Sequence, residues 1–211
     1  VAVSALPDDY DVPEMPTLQS VIGLKDTGSS QDYLAGTPLE MGFADITPSA
    51  GSLTAHIQMG YQVASLGVSL SGLPDECQSV SVSVSPVSGS VSMSGKYDGS
   101  HTACLSCTRN DDVWSSGTWY VFPGTGQQTV FTITMVDPEG ECLSSITYKS
   151  SLSAGVPYSL NGSYSDGSVD VSGEVTTSEW GESVNLSFAF GPELNPVIDG
   201  DGNQPVGPIH E

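Results

Sequence analysis

A beat of two along the chain decides most of what it can fold into. Between Leu53 and Phe190, apolar and small polar residues alternate in run after run. The apolar members are Leu53, Ala55, Ile57 and Met59; Leu66, Val68 and Leu70; Val80, Val82 and Val84; Val91 and Met93; Phe131, Ile133 and Met135; Val169, Val171 and Val175; and Val184, Leu186, Phe188 and Phe190. Successive side chains of a strand point to opposite faces, so each run has a dry face and a wet one. A dry face needs a second layer over it, and the predicted fold is an all-β antiparallel β-sandwich with little or no helix. Turn residues fall between the runs. Asp98-Gly99 and Asp166-Gly167 supply positive φ, and Pro86 to Gly89 and Asp137-Pro-Glu-Gly140 are Pro- and Gly-based turns. Ser79–Gly95 reads as one hairpin, serines to water and valines to the core.

The flanks break the beat. Residues 1–16 mix Pro and acids and read as a linker or arm. Thr17–Leu24 is predicted as the first strand. One short helix is predicted over Asp26–Gly36, with Ser29 and Asp32 as a capping pair and Gly36 as its stop. The sandwich is assigned to residues 17–190, as one unit or two abbreviated ones, and 191–211, dense in Pro and Gly, to an extended tail.

Composition removes whole classes of function. With 25 acids against 4 bases the formal net charge is −21, which leaves no basic footprint for nucleic acid. No apolar run is long enough to span a membrane as a helix. Abundant Ser and Thr with few cations suit an exported protein, and the initial Val is read as either removal of a targeting segment or trimming of the sequence. Cys77, Cys104, Cys107 and Cys142 read as disulfide cysteines or buried free thiols, with pairing open. Cys104 and Cys107 form a C-x-x-C, but neither a βαβ frame for redox work nor a second ligand pair for zinc accompanies it.

Other chemistry is thin. No G-x-S-x-G is present, and His56, His101 and His210 are not placed to serve a nucleophile. Asp199-Gly-Asp201-Gly-Asn203 matches half of a calcium loop, but Gln204 and His210 stand where such a loop needs Gly and Glu. A solvated acidic turn is expected there. Asn161-Gly-Ser163 and Asn185-Leu-Ser187 match a glycosylation signal by chance, and Trp180 reads as a core anchor. Trp114, Trp119 and Tyr120, beside Asp111-Asp112, form a candidate ligand-binding group for a sugar or protein, or else pack inward. No catalytic residue, metal or cofactor is assigned.

Several segments, taken in order, carry a resemblance. They are PLEM ending at Met41, YQVASLGVSL from Tyr61, TWYVFPG from Thr118, QTVFTITMVDPEG from Gln128, SLSAGVPYSLNGSY from Ser151 and VSGEVTTSEW from Val171. The chain thereby resembles the fimbrillin-like surface proteins of Bacteroides-type bacteria over about residues 38 to 190. Gln62 holds a place where that family often has Arg, and no Arg precedes Arg109 for Arg-specific maturation. The resemblance implies a transthyretin-like, Greek-key sandwich on the cell surface or outer membrane. It implies a non-enzymatic fimbrial accessory, tip or anchored subunit, with a lipid anchor outside this chain as the means of membrane attachment. Expected partners are other pilus subunits or a host protein or glycan. Assembly is expected by β-strand addition, with residues 1–16 or the tail holding Leu194, Val197 and Ile198 as donor. The alternative is a surface carbohydrate-binding module using exposed Trp and Tyr.

Overall fold

The computed structural model describes residues 2–4, 8–25, 33–47, 50–51, 54–126, 128–164, 171–178, 181–190 and 197–199. They form strands and no helix. The N-terminal strands are β1 (Ala2–Ser4), β2 (Tyr10–Asp11), β3 (Val21–Leu24), β4 (Glu40–Gly42) and β5 (Gly60–Tyr61). Next come β6 (Ala64–Ser71), β7 (Ser79–Val87), β8 (Ser90–Ser92), β9 (Tyr97–Asp98), β10 (His101–Asn110) and β11 (Val113–Val121). Then follow β12 (Thr129–Val136), β13 (Cys142–Ser150), β14 (Pro157–Tyr164), β15 (Val171–Ser178), β16 (Gly181–Phe190) and β17 (Val197–Asp199).

Ten of these make one ladder in the order β15-β16-β14-β6-β11-β10-β7-β12-β13-β17, which folds over on itself at β10 and β11. Only Thr108–Asn110 of β10 pair with β11, while His101–Cys107 pair with β7. The turn at Asp111 takes φ +53°, and β11 bulges between Ser115 and Thr118, where Gly117 takes φ +68°. Bulges bend and twist a strand, and this one re-aims β11 toward β6. Ser116 Oγ fills the gap in the ladder by accepting from the Val68 N–H at 3.0 Å. The halves then face each other: Leu66 and Val68 of β6 and Tyr158 and Leu160 of β14 close on Val82 and Val84 of β7, Leu105 of β10 and Phe131 of β12. The dry faces are those of the alternation, with Val80, Val82, Val84, Phe131, Ile133 and Met135 buried.

The sandwich is mixed rather than purely antiparallel. β14 runs parallel to both β6 and β16, and β17 runs parallel to β13. The chain enters β14 by crossing over from the opposite layer, which reverses the expected direction.

A second, smaller core accounts for most departures from the sequence reading. The sheets β1-β4-β5 and β2-β3-β8-β9 surround Tyr10, Ile22, Leu39, Met41, Val91 and Phe122. The segment read as an arm therefore carries two paired strands, and Tyr10 is buried with its hydroxyl donating to the Thr37 carbonyl at 2.7 Å. The first strand is shorter than Thr17–Leu24, because Thr17–Ser20 is a turn closed by Ser20 N–H to Thr17 O at 3.0 Å. Of the predicted helix, residues 26–32 lie outside the described residues. The remainder is not helical: Tyr33 takes φ +68° and Ala35 bridges Tyr120. Ser79–Gly95 is not a hairpin. β7 pairs with β10 and β12, whereas β8 pairs with β3 and β9, so the chain leaves one core for the other near Ser88. Asp98-Gly99 likewise joins strands of different sheets. Residues 54–59 alternate without being a strand; they run over Gly42, where a Cβ would meet the Gln58 carbonyl oxygen. Asp166-Gly167 and Trp180 lie outside the described residues. Val121 points into the large core and Phe122 into the small one, so β11 ties the two together.

Candidate docking edge

The far end of the second layer is built by the best-behaved part of the sequence. Burial alternates through Thr129–Val136 and through Ser144–Ser150, and Asp137-Pro-Glu-Gly140 is the turn of the hairpin that joins the two strands, as expected. Gly140 takes φ +85°, and its N–H donates to the Asp137 carbonyl at 3.1 Å. The Asp137 side chain also accepts from the Glu141 N–H at 2.8 Å. This hairpin presents β13 as the last long strand of its layer.

Against β13 lies β17, three residues from the segment read as a tail. Thr147 pairs with Val197, Tyr148 with Ile198 and Lys149 with Asp199, all parallel. The register makes a continuous inward row across five strands: Ala103, Val84, Phe131, Tyr148 and Ile198. Phe131 and Tyr148 meet with ring centroids 5.4 Å apart. Ile198 ends the row and is 4% exposed. On the outer side Gln128 Nε2 donates to Asp199 Oδ1 at 3.1 Å, in the row that holds Lys149. An extended segment is thus held by backbone pairing, one apolar side chain in the core and one polar clasp. Strand addition uses these same contacts to join separate chains.

The other predicted residues do not gather. Trp114, which the carbohydrate reading needs on the surface, is 7% exposed inside the large core, because the inward parity of β11 holds up to the bulge. Trp119 is half-buried against that core, its Nε1 donating to the Ser116 carbonyl at 2.7 Å. Tyr120 packs instead against the small core. The three rings therefore form no common platform.

The four cysteines are free thiols in the structure. Cys104 and Cys107 stand three apart on one strand, so parity sends Cys104 outward and Cys107 inward. Burial pushes the Cys107 thiol up to about 11, and desolvation also raises Cys77, partly offset by a backbone hydrogen bond of Ser79 and by Arg109. Both are kept as protonated thiols, the opposite of an activated cysteine. Cys142 is exposed at the start of β13.

His56 is exposed in the irregular segment before β5, and His101 stacks on Tyr33 with centroids 3.9 Å apart. His210, Asp201 and Asn203 lie outside the described residues, while Asp199 is part of β17. Among the described residues no group of three or more His, Cys, Asp or Glu comes together for a metal. The docking edge was signalled only by Val197-Ile198 amid Pro and Gly, too short a run to show a period.

No protein-family model and no curated protein matches the chain. Solved structures do. A candidate adhesin from Bacteroides ovatus is similar at 17% identity and TM-score 0.47, over 68% of this chain and 52% of that one. The fimbrial anchor protein Mfa2 from Porphyromonas gingivalis is similar at 16% identity and TM-score 0.48, over 68% of this chain and 56% of that one. A candidate polysaccharide-binding protein from Bacteroides thetaiotaomicron is similar at 11% identity and TM-score 0.49, over 71% and 56%. The chain spans little more than half the length of each.

Proposed function

We propose that this chain is a non-enzymatic structural or adhesion protein of the cell surface, exported to the outer membrane of a Bacteroides-type bacterium. In this reading it is a fimbrial accessory, tip or anchored subunit that joins other pilus subunits by strand addition along β13. The observation that carries the reading is the seating of Val197–Asp199 on the β13 edge, with Ile198 as the fifth side chain of an apolar row. An edge that accepts an extended segment of its own chain offers the same backbone pattern and side-chain place to a segment of another.

The test is a photoreactive amino acid at Thr147, expressed in the organism that makes the protein. Cross-linking to an extended segment of a second polypeptide is the expected product. Cross-links confined to the protein's own chain, on cells that display it, would refute assembly at this edge.

A further inference from the structure

We draw no further inference here: the strongest candidate, the trough of about 340 Å³ on the outer face of β6, β14 and β16 lined by Ser71, Asn161, Ser163 and Ser187, is a run of small polar side chains beside residues 165–170 and 191–196, which lie outside the described residues, and nothing in the structure shows what covers it.

Discussion

At the level of single residues, the buried side chains fix where the molecule is sensitive. Gly162 lies inward on β14, and a Cβ there would sit 2.7 Å from Leu70 Cδ2 and 2.7 Å from Phe188 Cε2. Gly162→Ala should therefore lower stability by about 1–3 kcal/mol through overpacking, read as a shift in the urea midpoint at constant slope; an unchanged midpoint would count against this packing. The cysteines give a second test. Cys104 and Cys142 should react with a thiol reagent in the native state, and Cys77 and Cys107 only after unfolding; an intact-mass deficit of two hydrogens would instead reveal a disulfide. Cys107 also ties stability to pH. Its pKa is raised by burial from 9.0 to about 11, so its favourable contribution is fully present below pH 9 and is lost as pH rises toward 11. Cys107→Ala should flatten the stability curve across that window, and a slope there identical to the native protein's would contradict the assignment.

At the level of elements, the bulge in β11 is where local chemistry decides architecture. Ser116 Oγ replaces a ladder carbonyl for the Val68 N–H. Ser116→Ala leaves that buried donor without its partner and should cost about 1–3 kcal/mol. Ser116→Thr keeps the hydroxyl and should retain more; equal losses in the two variants would show that the hydroxyl is not what matters. Elements were legible in the sequence wherever one strand served one core. Val80–Val84, Phe131–Met135 and Leu66–Leu70 alternate and are buried as their period requires. They were illegible where consecutive strands serve different cores. β7 and β8 carry the same Ser-Val alternation on either side of Pro86–Gly89, and that break marks a turn without showing that the chain changes core at Ser88, because parity records which face is dry and not which partner dries it. Tyr10 was missed for a related reason: a two-residue strand is too short to have a period.

For the whole molecule, charge and edges matter most. Register puts the turns at Asp75-Glu76, Asp111-Asp112 and Asp137–Glu141 at one end of the sandwich, since Ser71 lies opposite Val113, Val80 opposite Cys107 and Ser79 opposite Val136. Arg109, 3.7 Å from Asp75, forms the ion pair found there among the described residues. With a formal charge of −21, self-repulsion opposes folding, and screening should relieve it. The melting temperature should rise between 10 mM and 500 mM sodium chloride, and a flat response would show that the repulsion is already dispersed in solvent. The two-layer body was readable from alternation. The docking edge was not, because β17 is recognisable only by the strand it lies on. The most direct measurement on that edge is solution NMR of the full chain, read for cross-strand contacts between Thr147–Lys149 and Val197–Asp199 at several protein concentrations. Parallel-strand contacts of Tyr148 with Ile198 at every concentration are the expected result; random-coil shifts for Val197–Asp199 with no such contacts would contradict the seating of β17 and the docking edge derived from it.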